Sequence, residues 1–306
     1  VKLKDIRKSY HTNAISKPEY IEKMHEVHAI LFEYAGYIQN TDIAKIEISD
    51  GIVLMTSRTL GVKIACDKDD RRIAPIEILN FGEYEKYDSA MIFRLIKANN
   101  TVMDIGANIG WYSISIAKRI PDAQVYSFEP IPKTFELLTR NVALNQSPAI
   151  KLNNFGFSNV EEDITFYYYP EGSGNASSTN LTDRDTVEKI SCRVTTLDVF
   201  CAQEKIAVDF IKCDVEGAEL FVFQGGIKTI NKDKPIIFAE ILRKWAAKFN
   251  YHPNDIIKLF ASMGYRCFVA KAHTLVEFTS VDEHTTETNF FFLHNTKHAN
   301  EIRSLL

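Results

Sequence analysis

The stretch from Thr101 to Pro130 limits the fold more than any other. An apolar run, Thr101-Val-Met-Asp-Ile105, enters the turn Gly106-Ala-Asn-Ile-Gly110, and an amphipathic stretch over residues 111–120 follows. The next β-type run, residues 124–128, ends at Glu129-Pro130. Strand, glycine turn, helix and strand in that order predict a crossover unit of a parallel sheet. The alternation continues with a helix over 133–145, strands at 150–155, 164–169 and 190–195, and a short helix over 197–204. Strand 208–213, a helix opening at Gly217, strand 235–240, a helix over 253–263 and strands at 265–270 and 289–293 complete it. The fold class expected is α/β, with a doubly wound Rossmann-like core.

Upstream, residues 1–40 read as a helical arm. Pro18 suits a helix start, and Tyr20, Ile21, Met24, Val27, His28, Leu31 and Phe32 recur at three- and four-residue spacing. Residues 44–48 and 52–56 flank Asp50-Gly51, a hairpin signal, and 61–66 and 73–79 also read as strands. Two domains follow from this: 1–85, the helical arm with a small antiparallel β unit, and 86–306, a nucleotide-binding domain opened by a helix over 89–97.

Composition narrows the class of partner. The 306 residues carry 36 Lys and Arg against 40 Asp and Glu, a formal charge of −4, which supplies no pull toward nucleic acid. Lys2, Lys4, Arg7 and Lys8 read as a solvated face. Charge interrupts each apolar run well before about 18 residues, so no membrane span is expected. Residues 1–8 have no apolar leader segment, and the start at Val rather than Met leaves the true N-terminus open. Five scattered cysteines without a C-x-x-C pair fit a reducing compartment rather than disulfides or structural zinc, so a cytoplasmic protein is expected. No H-E-x-x-H, G-x-S-x-G or Walker pattern occurs.

The turn after the first core strand selects the ligand. Gly106 and Gly110 allow close approach of a ligand to the backbone, and Asn108 shapes the turn between them. A dinucleotide turn would read G-x-G-x-x-G, whereas this one reads G-A-N-I-G beside the acidic Asp104, which would repel a pyrophosphate. Asp104 can instead accept a hydrogen bond from the ammonium of a methionine moiety, and Glu129 can accept the hydroxyls of a ribose. Either carboxylate alone reads as a cap. In this order they favour S-adenosylmethionine over a nicotinamide cofactor.

The run Asp104-Ile-Gly-Ala-Asn-Ile-Gly110, with Phe128-Glu129-Pro130 and Ile211-Lys-Cys-Asp214-Val-Glu216-Gly217-Ala-Glu219, resembles the FkbM-type methyltransferases. Gly82-Glu-Tyr-Glu85, Gly156-Phe-Ser158, Thr195-Thr-Leu-Asp198 and the Ser177-Ser178 loop support the likeness, which spans roughly residues 80–295. Cys213 departs from it, at a place where an aliphatic residue is usual. The resemblance implies a class I methyltransferase fold, with a seven-stranded, mostly parallel sheet whose last strand is antiparallel. It also implies O-methylation of a sugar or a secondary-metabolite hydroxyl, and brings Ser158 and Glu85 to the cofactor site.

Candidate chemistry gathers at the carboxyl ends of the strands. Asp214 and Glu216 share a face if the chain stays extended there. Asp214 is placed to orient the acceptor or take its proton, as well as to meet the cofactor, and Glu216 either shares that task or caps the next helix. Glu240 ends the neighbouring strand. With Asp214 and Glu216 it could hold Mg²⁺, although Lys212, Arg243 or Lys244 could hold the same carboxylates as ion pairs, and no resident metal is expected. His252 is either a base reaching the cleft or a helix-start residue. The loop over 170–185, with Ser177 and Ser178, is a candidate lid or acceptor contact. A small-molecule or glycan acceptor and a homodimer formed through the arm are the partners expected. An N- or C-methyltransferase, a non-catalytic cofactor-binding assembly module and a nicotinamide oxidoreductase stay open as alternatives.

Overall fold

The computed structural model describes residues 2–169, 171, 172, 174, 176–181 and 187–306. Three strands come first: β1 (Ile43–Ser49), β2 (Ile52–Ser57) and β3 (Lys63–Cys66), paired in that order. Ser49 pairs with Ile52, so Asp50 and Gly51 form a two-residue turn with φ of 51° and 77°, as a primed hairpin turn requires. The core strands β4 (Thr101–Ile105), β5 (Gln124–Phe128) and β6 (Ile150–Asn153) follow. Next come β7 (Gly156–Phe157), β8 (Glu162–Tyr168) and β9 (Glu188–Thr195), which form a separate sheet in the order β7-β9-β8. The chain then lays down β10 (Phe210–Cys213), β11 (Ile236–Glu240), β12 (Tyr265–Lys271), β13 (Thr274–Glu277) and β14 (Asn289–His294).

The main sheet has the order β13-β12-β14-β11-β10-β4-β5-β6. β14 lies between β11 and β12 and is antiparallel to both, whereas β4, β5, β6, β10 and β11 run parallel. This is a Rossmann-like class I methyltransferase core. Eight strands replace the seven expected because β12 turns back into β13 through Ala272 and His273, residues that carry no turn signal.

Alternation along each strand divides the core into two layers. Val102, Phe238 and Phe291 pack into one layer, and their neighbours Met103, Ile237 and Phe292 into the other. Val62, Ile64 and Ile73 from the segment before residue 86 join the first layer. Two asparagines of the helix Pro132–Leu144 and its C-cap tie β3 down. Asn141 Oδ1 accepts from Ala65 N at 2.9 Å while its Nδ2 donates to Ile109 O at 2.8 Å. Asn145 Oδ1 accepts from Lys63 N at 2.9 Å and its Nδ2 donates to Lys63 O at 2.6 Å. An edge strand whose backbone is capped by side chains is closed to further pairing.

Residues 73–79 do not form the expected strand. They belong to the helix Ala74–Phe81, which buries Ala74, Pro75, Ile78 and Leu79. Pro75 lacks an N–H to donate to a sheet but fits a first helical turn, and the buried positions recur at four-residue spacing. The expected strand 150–155 splits, because β6 ends at Asn153 and the chain crosses to β7. The arm forms two helices, Lys2–His11 and Lys17–Tyr37, neither of which buries a residue; Phe32 is 74% exposed. Among the described residues no helix is long and apolar enough to cross a membrane.

Replacing Asn141 by Leu leaves an N–H and a carbonyl unpaired between β3 and the turn below it. A loss of about 2–4 kcal/mol is expected in urea unfolding. Thr139→Ala, on the exposed side of the same helix, should cost under about 0.5 kcal/mol.

Candidate active site

The turn after β4 is built by contact with a neighbouring strand. Gly106 has φ of +75°, and a Cβ there would lie 1.8 Å from the backbone oxygen of Asp214. Gly106 N and Ala107 N donate to Phe128 O at 3.0 and 2.9 Å. The turn is thus clamped between the ends of β5 and β10. Gly110 faces the interior, where a Cβ would meet Leu138 at 2.6 Å, so its contribution is to packing.

Lys212 lies under this turn and is 3% exposed. Its ammonium donates to Gly106 O at 2.9 Å and to Asp214 Oδ2 at 3.2 Å, and stands 3.5 Å from Asp104 Oδ1. Burial alone would lower the Lys212 pKa, but Asp214, Asp104 and Glu85 together outweigh it and hold the ammonium charged. Asp104 is fully buried, and its Oδ2 accepts from Ser113 Oγ at 2.5 Å. It is therefore absent from the cavity wall, contrary to the expectation that it meets a methionine moiety. Its place in the middle of the sheet, opposite Lys212 and Ser127 in register, turns it toward those neighbours instead.

A cavity of about 400 Å³ opens above the turn, between the main sheet and the small β7-β9-β8 sheet. Glu85, Glu129, Asp214, Glu216 and Glu240 bring carboxylates to its wall, and Gly106, Asn108, Ser158 and Ser178 also reach it. Glu129 accepts from Asn108 N at 3.1 Å and Ile131 N at 2.9 Å. Burial raises its pKa to about 7, against the opposing pull of those backbone N–H groups. Burial, then the charges of Asp214, Glu216 and Glu85, lift Glu240 to about 10. Burial and the nearby Asp214 push Glu216 well up as well. Glu85 is raised by burial, accepts from the Tyr112 hydroxyl, and accepts from Asn289 Nδ2 at 3.3 Å.

The segment 214–217 is a strained turn rather than an extended strand. Glu216 has φ of +54° and Gly217 of +102°. Buried Glu219 holds it: Oε1 accepts from Val215 N at 3.1 Å and Gly217 N at 3.0 Å, and Oε2 accepts from the Tyr251 hydroxyl at 3.1 Å. Glu216 caps nothing, since the helix begins at Glu219 and has no side-chain cap. Its Oε2 lacks a hydrogen-bond partner among the described residues.

Ser177, expected at the acceptor, is committed elsewhere, and His252 takes the helix-start role of its two readings. Ser177 is fully buried and donates to Glu216 O at 2.8 Å, pinning residues 176–181 to the strained turn. His252 caps the helix Pro253–Ser262, with Nδ1 accepting from Asn254 N at 3.2 Å, and stays outside the cavity wall. Of the loop, Gly174, Ala176 and Ser178 reach the cavity, while Pro170, Ser173, Asn175 and residues 182–186 lie outside the described residues. Among the described residues no group of three His, Cys, Asp or Glu is arranged to hold a metal ion.

Glu219 and Asn289 carry structural roles at the site that motif reading did not assign, and Lys212 holds Asp214 in the ion pair that was one of its readings, with Asp104 and the Gly106 carbonyl as further partners. Lys212 had a signal: a lone charge inside the apolar strand Phe210–Cys213 must be paired where it is buried. Lys212→Met should cost about 3–5 kcal/mol by stranding the buried Asp104 carboxylate and removing the partner of half-buried Asp214. In urea unfolding, Asp104→Asn in the Lys212→Met background should recover at least about 1 kcal/mol of it, a non-additivity expected of contacting groups.

The family profile of the methyltransferase FkbM domain matches residues 104–267. Methyltransferase sdnD of Sordaria araneosa is 28% identical over 160 residues, 42% of this chain and 61% of that protein. The hexuronic acid methyltransferase AglP of Haloferax volcanii is 29% identical over 127 residues, 42% and 50% of the two chains. The 2-O-methyltransferase NoeI of Sinorhizobium fredii is 25% identical over 165 residues, 49% and 66%. The chain thus spans less than two thirds of each of these relatives. The matched profile runs from the strand that holds Asp104 past the turn that holds Asp214 and Glu216 and the helix that opens at Glu219, and so takes in the clamped turn and most of the carboxylate wall; the chain belongs to the FkbM methyltransferase domain family.

Proposed function

We propose that this chain is an S-adenosylmethionine-dependent methyltransferase that transfers a methyl group to a hydroxyl of a sugar or related small molecule. The observation that carries the reading is the carboxylate-walled cavity at the carboxyl ends of β4, β5, β10 and β11, floored by the Gly106 turn. The residues fit the cofactor on three counts. The turn leaves no room for a side chain at Gly106, so backbone faces the cavity there. Glu129 stands at the end of the adjacent strand with lone pairs beyond the two it commits to backbone. The orphaned Glu216 oxygen and its acidic neighbours suit a cationic sulfonium. A hydroxyl acceptor accords with the names of AglP and NoeI, one a hexuronic acid methyltransferase and the other a 2-O-methyltransferase.

When bound, the cofactor supplies an electrophilic methyl group on sulfur. The chain's own work is then to bind, align and accept a proton. Glu129 accepts the ribose hydroxyls. Asp104 acts from below, through Lys212 and Ser113, to keep the turn in shape. Asp214, paired with Lys212 and open to the cavity, would receive the acceptor hydroxyl's hydrogen bond and take its proton, the bound cofactor giving up its methyl group and leaving as the thioether. Glu240, its carboxyl pushed upward by burial and by Asp214, Glu216 and Glu85, faces the acceptor from the end of β11. Ser178 and Glu85 complete the wall.

Glu129→Ala should weaken S-adenosylhomocysteine binding roughly ten- to hundredfold in calorimetry, the worth of hydrogen bonds to a charged group. A pH series tests the same residue. The ionised carboxylate is the better acceptor, and its pKa lies near 7, so affinity should rise between pH 6 and 8 and flatten in Glu129→Gln. Asp214→Asn should cut turnover at least about a hundredfold while leaving cofactor affinity within a few-fold. Labelled-methyl transfer into fractionated glycan and small-molecule pools, followed by mass spectrometry, identifies the acceptor; label recovered only on nitrogen or carbon would refute hydroxyl transfer.

A further inference from the structure

A second concavity adjoins the first and has no part in the chemistry above. It is a groove of about 290 Å³ between the β1–β3 unit and the helices Lys86–Leu95 and Trp111–Arg119. Leu60, Ala90, Phe93 and Trp111 supply its apolar walls. Glu83 and Tyr84 line both the groove and the carboxylate-walled cavity. Tyr84 is thus the partition between them, with its ring edge-on to Trp111 at 6.0 Å.

The polar groups at the groove mouth are already engaged. Asp42 Oδ1 accepts from Thr59 N at 2.8 Å and from its hydroxyl at 2.6 Å, Lys86 pairs with Glu83 at 2.9 Å, and Ser89 Oγ lies 3.4 Å from the Tyr112 hydroxyl. Ser115 differs. It lines the groove, is 1% exposed, and its Oγ has no hydrogen-bond partner among the described residues. Leaving a hydroxyl buried and unpaired is costly, and apolar walls with one such group are the makeup of a small-molecule site.

We propose that this groove binds an apolar, ring-sized part of the methyl acceptor, with one hydrogen-bonding group directed at Ser115, while the acceptor's hydroxylated part occupies the carboxylate-walled cavity across Tyr84. The acceptor class is then an amphipathic one, an aryl-substituted polyol or glycoside, rather than a free sugar. The identity of the occupant rests on the methyl-transfer reading; the groove as a binding site does not.

Trp111 reports on the groove directly. The chain has two tryptophans, so Trp245→Phe leaves Trp111 as the fluorophore. In that background 4-methylphenol should change the emission saturably. Ala90→Phe should abolish the response, and because Ala90 is exposed the larger ring closes the mouth without overpacking the core. Ser115→Ala should weaken binding at least threefold. With S-adenosylhomocysteine present, 4-hydroxyphenyl β-glucoside should bind at least tenfold more tightly than methyl β-glucoside, and Ala90→Phe should erase the difference. No emission change with 4-methylphenol, or an unaltered response in Ala90→Phe, overturns the site. Equal or absent binding of the two glucosides overturns the bridging acceptor. Calorimetry with S-adenosylhomocysteine on the same proteins reads the methyl-transfer reading separately: failure there beside intact 4-methylphenol binding removes the acceptor assignment and retains the groove.

Discussion

The ammonium of Lys212 is the contact around which the functional edge of the sheet is organised. It lies inside the central strand, yet touches the carbonyl of the Gly106 turn on one side and the Asp214 carboxylate on the other, with Asp104 beneath. Taking an ammonium out of water costs several kcal/mol, and only close opposite charges and hydrogen bonds offset it. Those partners come from β4 and from the end of β10, so the ion cluster forms only when the two strands pair in register. The same contact orders the turn that would bear a cofactor and the carboxylate best placed to act on an acceptor.

Around that point the site is assembled from strand ends and one borrowed sheet. Carboxylates arrive from the ends of β5 and β11, from the turn after β10 and from the segment before the helix Lys86–Leu95. Burial, and after it their crowding, pushes the Glu216 and Glu240 carboxyls upward. Two clamps hold the least regular part: Glu219 from below, through two backbone N–H groups, and Ser177 from the loop above. Strain at Glu216 persists because both sides of the turn are tied, in keeping with how unusual backbone conformations survive at functional sites.

Motif reading named residues that the structure gathers on one cavity wall and others that it does not. Glu129, Asp214, Glu216 and Glu240 stand on the cavity wall, each at a strand end or just beyond it. Asp104 sits one residue short of its strand's end, and that single step turns it into the sheet interior. Ser177 was legible as a polar residue near the cleft, but its partner, Glu216 O, is a backbone atom that no side-chain pattern reveals, whereas the helix-start role of His252 follows from its place before Pro253. The strand expected at 73–79 failed because its β-branched residues outweighed Pro75, whereas helical burial at four-residue spacing decided the outcome.

By itself the sequence determined most of the order of strands and helices, the position of the glycine turn and the family, because each is written in local periodicity, turn chemistry and contiguous motifs. Tertiary structure alone decided which carboxylate faces solvent and which faces Lys212, how Asn141 and Asn145 seal β3, and that Tyr84 divides two concavities. Those outcomes depend on strand register and on contacts between residues far apart in the chain. A one-residue step in a strand reverses the direction of a side chain, and no local pattern carries that information across the sheet.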